Sequence, residues 1–119
     1  MARQLEVMKE QQGDVYIFSV RGPVDSATLE MFDHTLGPIF RGRNARAIVD
    51  CSEMTYICSH GMGLLVEYHR QCCLGKGRII VCAPTPFILK TFERLRLDAI
   101  LKILPSREEA LAALVEQEA

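Results

Sequence analysis

Short apolar runs and stripes of apolar residues at helical spacing take turns along this chain. Val15-Tyr16-Ile17-Phe18-Ser19-Val20 predicts a strand, Leu5-Glu6-Val7-Met8 predicts a weaker one before it, and Gln-Gln-Gly-Asp between them reads as a hairpin turn. After the capping pair Asp25-Ser26, Leu29, Phe32, Leu36 and Ile39 predict a helix from about Ser26 to the Gly37-Pro38 pair. Ala45 to Asp50 is a short strand. Met62 to Cys73 has helical periodicity in a helix beginning near Gly61, and Gly75-Lys76-Gly77 ends it. Arg78 to Cys82 is a second buried strand, and Thr85-Pro86 supplies an N-cap and a first-turn proline for a helix through about Arg94. Ile100 to Leu104 is the last strand. Ser106-Arg107-Glu108-Glu109 is a capping box before a closing helix with Ala110, Leu111, Leu114 and Val115 on its apolar side.

The order β-β-α-β-α-β-α-β-α predicts an α/β fold, a mixed and largely parallel sheet of about five strands with about four helices. No internal repeat, low-complexity tract or linker interrupts it, so residues 1–119 are expected to form one domain. In such sheets, sites gather where strands hand over to helices, because loops and helix N-termini converge there. Three handovers qualify: Gly22 to Ser26, Asp50 to Gly63, and Cys82 to Pro86.

Composition narrows the function. A formal net charge of -1 over 119 residues gives no basic field for nucleic acid or anionic lipid. The first residues lack the apolar core of a signal peptide and no run approaches the length of a membrane span, which predicts a cytoplasmic chain without direct membrane insertion. The cysteines (Cys51, Cys58, Cys72, Cys73, Cys82) are odd in number and mostly sit in apolar segments, so they read as small core residues rather than a disulfide framework.

The middle handover holds the unusual chemistry, Cys58-Ser59-His60 followed by Gly61-Met62-Gly63. Ser59 stands where the helix needs an N-cap. Its hydroxyl at a helix N-terminus is also a natural place for a phosphate, and both readings stay open. Gly61 and Gly63 each cost up to about 1 kcal/mol against alanine in a helix, which points to close approach by a strand, a ligand or a partner.

Three stretches in order resemble one family. "RGPVDSATLE" is similar to a Gly-x-x-Asp element before the first helix. "IVDCSEMTYICSHGMGLLVEY" resembles an Asp-Leu-Ser strand end followed by Ile-Asp-Ser-Ser-Gly-Leu-Gly, and "GRIIVCAPTPFILKTFERLRLDAILKILPSREEAL" the remaining strands and helices. The family is the STAS domain (sulphate transporter and anti-sigma-factor antagonist), specifically its small stand-alone antagonists. The resemblance implies a non-enzymatic module, without metal or cofactor. Its expected partner is a histidine-kinase-like ATPase that is both anti-sigma factor and serine kinase, and a serine phosphatase resets the switch. It implies phosphorylation at Ser59, and contacts through Asp25, Cys58, Ser59, His60, Gly61, Met62 and Gly63. The surface is expected on the helix from Gly61 to Cys73 with loops at Asp25 and at Ser52 to Tyr56, with Met62 as exposed apolar anchor. Asp25 would help position the hydroxyl or a nucleotide-bound metal, or simply cap the first helix.

Two positions depart from the family pattern: Cys58 holds the place of the aspartate before the serine and His60 that of the second serine. The change removes a carboxylate and adds a side chain that titrates near neutrality. It admits an adaptor that recognises a kinase without being its substrate. A scaffold STAS protein of stressosome or lipid ABC-transporter type is an alternative, and a small nucleotide-binding enzyme another. Cys58 at a helix N-terminus also admits redox sensing. Cys58-x-His60 and His69-x-x-Cys72-Cys73 match no familiar zinc spacing, and no nucleophile elbow, P-loop or paired-carboxylate motif is present. An exposed edge on strand one leaves a homodimer open.

Overall fold

A computed structural model describes residues 4–116. The alternation resolves into β1 (Glu6–Gln12), β2 (Val15–Val24), α1 (Leu29–Phe40), β3 (Arg46–Ile57), α2 (Ser59–Leu74), β4 (Arg78–Cys82), α3 (Pro86–Arg94), β5 (Lys102–Leu104) and α4 (Arg107–Glu116), with a single 3-10 turn at Leu97–Ala99. The sheet runs β1-β2-β3-β4-β5. β1 is antiparallel to β2, and each later strand is parallel to its predecessor. This is the mixed, largely parallel α/β sheet that the apolar pattern predicts.

The pleat sorts the central residues into two layers. Ile17, Ile48 and Ile80 stand in register and pack with Val15 and Cys82 against Ala110 and Leu114 of α4. One residue on, Phe18, Val49 and Val81 face the other side, where Phe32, Leu36 and Phe40 of α1, Leu65 and Tyr68 of α2 and Phe92 of α3 close the larger core. Strands covered on both faces read as unbroken apolar runs, as residues 47–49 in the first half of β3 and residues 79–82 of β4 do.

Four boundaries differ from expectation. β1 runs on through Gln11 and Gln12, paired with Tyr16 and Val15, which leaves only Gly13 and Asp14 for the hairpin turn. α1 begins at Leu29 and continues through Gly37-Pro38 to Phe40. Packing outweighs the proline: Phe40 is fully buried and stacks on Tyr68 with ring centroids 4.9 Å apart. The segment Ser52 to Tyr56, expected as a loop, is the second half of β3, paired with an equally extended β2 through Arg21 opposite Glu53 and Val24 opposite Ile57. Its exposed polar residues disguise it; Met54 and Ile57 carry the burial. β5 is only Lys102–Leu104, since the chain before it turns through Arg96 at φ 60 and the 3-10 turn. The Ser106 cap holds, its Oγ accepting from the Glu109 N–H at 3.1 Å, but the Glu109 carboxylate accepts from the Ser106 hydroxyl (3.2 Å) rather than from the backbone.

Arg107 ties α4 to the sheet. Its guanidinium donates to Asp50 Oδ2 at 2.9 and 3.1 Å, to Ser19 Oγ at 2.8 Å and to Glu10 Oε1 at 2.9 Å. Burial alone would raise the Asp50 carboxyl, but the Ser52 backbone N–H (2.9 Å), the Ser52 side chain and Arg107 outweigh it and hold Asp50 below the usual carboxylate range. A carboxyl depressed by folding stabilises the native state above its unfolded pKa, and that stabilisation is lost as pH falls through the folded value. Asp50→Asn should therefore cost about 1–2 kcal/mol at neutral pH, a deficit that shrinks below about pH 4 as the wild-type carboxyl also loses its charge. Urea unfolding of both proteins across this range checks it. A deficit that does not change with pH would mean that shape, not charge, holds the tie.

Candidate functional site

The site is built by the last rungs of the β2–β3 ladder. Pro23 pairs with Tyr56 and Val24 with Ile57, and the Cys58 N–H then donates to the Val24 carbonyl at 2.9 Å. Asp25 and the Cys58-Ser59-His60 turn therefore leave the sheet side by side, and the first two handovers become one surface.

Cys58, not Ser59, is the N-cap of α2. Its backbone is extended (φ -81, ψ 170), its Sγ accepts from the Gly61 N–H at 3.4 Å and its carbonyl from the Met62 N–H at 3.0 Å. Ile57 is locked opposite Val24, so the turn into the helix falls one residue earlier than the serine suggests. Ser59 becomes the first helical residue, exposed, with a hydroxyl that makes no hydrogen bond among the described residues. His60 beside it is also exposed. No acidic residue stands in the first turn of α2, so the partial positive charge of this helix end is uncompensated there.

The two glycines have different reasons. A Cβ on Gly61 would lie 2.9 Å from both Ile57 Cγ1 and Val24 Cγ1, so glycine lets α2 start flush against the two strand ends. Gly63 is exposed and a Cβ there would meet nothing within 4 Å. Met62 is not the exposed anchor expected of it. It is only 5% exposed and belongs to the stripe Met62, Leu65, Tyr68, Cys72 that packs on the sheet. That stripe, at spacings of three and four, was the signal in the sequence that could have placed it.

Exposed apolar surface lies elsewhere on this pole: Tyr56 at the end of β3 (46% exposed) and Phe87 in the first turn of α3 (62%). Phe87 borders an open cleft of about 810 Å³ with Met54 and Thr55 of β3, Gly22 of β2 and Thr85, the N-cap of α3. Its own helix leaves it outside, because Ile88 and Phe92 define the buried side. Asp25 acts as a local turn former. Its Oδ1 accepts from the N–H groups of Ala27 (3.0 Å) and Thr28 (3.1 Å) and so shapes the entry to α1.

The cysteines separate by burial. Cys51, Cys72 and Cys82 are core residues, as expected, and burial raises the Cys51 thiol and pushes Cys72 and Cys82 up to about 12, so they stay protonated and inert. Cys73 is exposed, with Sγ 3.7 Å from His69 Nε2, and Cys58 is half-buried at its cap. Among the described residues no three His, Cys, Asp or Glu side chains converge as a metal would require, and no helix is long and apolar enough to cross a membrane.

A five-stranded mixed sheet whose strand ends present a serine at the mouth of α2 defines a family: this chain belongs to the STAS domain family, whose model matches residues 6–110. Among solved structures, an anti-sigma factor antagonist from Mycobacterium paratuberculosis superposes with a TM-score of 0.86 at 20% identity, covering 96% of this chain and 98% of that one. The antagonist SpoIIAA in its unphosphorylated form gives 0.77 at 21% identity, covering 93% and 97%. The Bacillus cell-fate determinant SpoIIAA in its phosphorylated form gives 0.68 at 21%, covering 91% and 98%. At such identities the likeness is one of fold.

The contrast between the glycines is measurable. Gly61→Ala should destabilise by about 1–3 kcal/mol through the clash with Ile57 and Val24, whereas Gly63→Ala should stabilise by about 0.5–1 kcal/mol through helix propensity. Chemical denaturation of the two variants decides. Equal effects would remove the close-approach explanation.

Proposed function

We propose that this chain is an anti-sigma-factor antagonist, a non-enzymatic binding module of 119 residues in one cytoplasmic domain. It docks on an anti-sigma factor that is also a serine kinase, and Ser59 receives the phosphoryl group. The observation that carries this reading is the freedom of Ser59: Cys58 performs the capping, which leaves an exposed, unbonded hydroxyl at the first position of a helix. The SpoIIAA structures, in unphosphorylated and phosphorylated form, support it as fold relatives.

The physics of the switch is simple. An ester on Ser59 adds about -1.5 to -2 charges at a helix N-terminus, where free N–H groups and the dipole stabilise it. The modified chain therefore stays folded. The same charge lies in the contact surface, where it must be desolvated or set against the partner's own field, and every 1.4 kcal/mol is about tenfold in affinity. His60, exposed beside Ser59, has a ring N–H that can donate to the phosphoryl oxygens. Tyr56 and Phe87 replace Met62 as the apolar contacts, since they are the large exposed side chains bordering the strand ends.

The test is intact mass with peptide mapping on protein taken from its native cell under phosphatase inhibition. One phosphoryl group on the Ser59 peptide, absent from Ser59→Ala, is expected. A chain that carries none under growth and under stress refutes the phosphoacceptor role and leaves constitutive docking. Binding gives a second check. Ser59→Asp should weaken capture of the kinase by about tenfold or more, and Phe87→Ala should weaken it with unchanged thermal stability. Wild-type affinity in the Phe87 variant would place the contact elsewhere.

Cys58→Asp restores a carboxylate beside Ser59 and a stronger cap, so it should stabilise the fold by about 1 kcal/mol. Thermal melts compare it with wild type, and a loss of stability would contradict the capping geometry.

A further inference from the structure

At the other end of α2, the chain gathers cations that its net charge of -1 conceals. Arg46 and Arg78 are the first residues of β3 and β4 and stand directly in register, an arrangement in which like charges repel. Arg46 is already engaged, its guanidinium turned to the Leu114 carbonyl. Beside them, the loop leading into β3 and the loop leaving α2 are clasped together. Asn44 N–H donates to the Gly75 carbonyl at 2.7 Å and Arg78 N–H to the Ala45 carbonyl at 2.6 Å. The clasp is so close that a Cβ on Gly77 would fall 2.1 Å from the Ala45 oxygen.

The clasp sets the Arg43 backbone against Gly75, next to Lys76, so that Arg43 lines one cleft and Lys76 and Arg78 line its neighbour. The two clefts flank the clasp, of about 470 Å³ with Asn44, Arg46, Lys76 and Arg78 in its lining, and of about 280 Å³ with Arg41 and Arg43. Arg41 has Asp33 at 3.5 Å. Arg43, Lys76 and Arg78 have no carboxylate partner within 4.0 Å among the described residues.

Lys76 adds an independent sign. It sits at φ 62, just past the helix cap Gly75, in the left-handed position that helices ordinarily fill with glycine. A β-carbon there costs energy. The chain has glycine on either side and lysine at the left-handed position between them, so a cation stands where the backbone alone would favour glycine.

We propose that this pole is a second docking surface, which binds a short acidic peptide segment of a protein partner through Arg43, Lys76 and Arg78. Arginine forks match carboxylates two bonds at a time, and the amides of Gln11 and Asn44 beside them suit a peptide backbone. A nucleic-acid strand fits less well. Its unbroken row of phosphates needs a longer basic track, and Asp14 stands in the larger cleft. The 16 residues of α2 put this surface about 24 Å from Ser59, far enough for both to be occupied at once.

Fluorescence anisotropy with a fluorescein-labelled peptide of alternating glutamate and serine tests it, at low ionic strength and at about 0.15 M salt. Saturable binding that weakens with salt is expected, and Arg43→Ala or Lys76→Gly should each weaken it by about fivefold. Lys76→Gly should at the same time keep or raise the melting temperature, because glycine relieves the backbone, while Ser59→Ala binds as wild type does. The proposal falls if the peptide shows no saturable binding at low salt, if Lys76→Gly binds it unchanged, or if a single-stranded oligonucleotide binds more tightly than the peptide.

Discussion

The pairing of β2 with β3 out to Val24 and Ile57 governs everything at the Ser59 pole. Had the ladder ended at Asp50, as the apolar run alone suggests, the chain would reach α2 through a polar loop with no fixed relation to Asp25. Instead the Cys58 N–H closes on the Val24 carbonyl, and the position of the helix start follows from strand register. Gly61 completes the arrangement by letting the first turn rest on both strand ends. The turn is thus fixed from three directions, by the strand ladder, by the Cys58 N–H and by the close contact at Gly61.

The element order was legible because each element carried its own local sign. Unbroken apolar runs marked β3 and β4, Thr85-Pro86 opened α3 at its true first residue, and Ser106 capped α4. What escaped was set by tertiary pairing. Ser52, Glu53, Thr55 and Tyr56 are exposed on an extended strand and resemble a loop in composition, since only Met54 and Ile57 reach the core. Serine is a better cap than cysteine, so local preference chose Ser59, and register chose Cys58. Of the site residues, Ser59, His60 and Gly63 are exposed, and no close approach of the kind its glycine suggests meets Gly63. Asp25 proved a turn former, and Met62 belongs to the core.

Replacing the family's carboxylate by Cys58 alters the electrostatics more than the shape. A thiol still caps, through a longer and weaker contact at 3.4 Å, but it places no negative charge beside Ser59. This pole is therefore less anionic than the family pattern implies. At the far end of α2, cations are held together at some cost in backbone strain. One helix thus connects two poles of different chemistry.

The two faces of the sheet are unequally protected. Three helices share the larger core, while α4 alone shelters Ile17, Ile48 and Ile80, held at its first turn by Arg107. α4 covers this face alone, so a local opening that frees it exposes the whole of the smaller core at once. Each opening bares a stripe of isoleucines across three adjacent strands. Local opening of α4, and not only global unfolding, is thus a route by which this chain uncovers apolar surface.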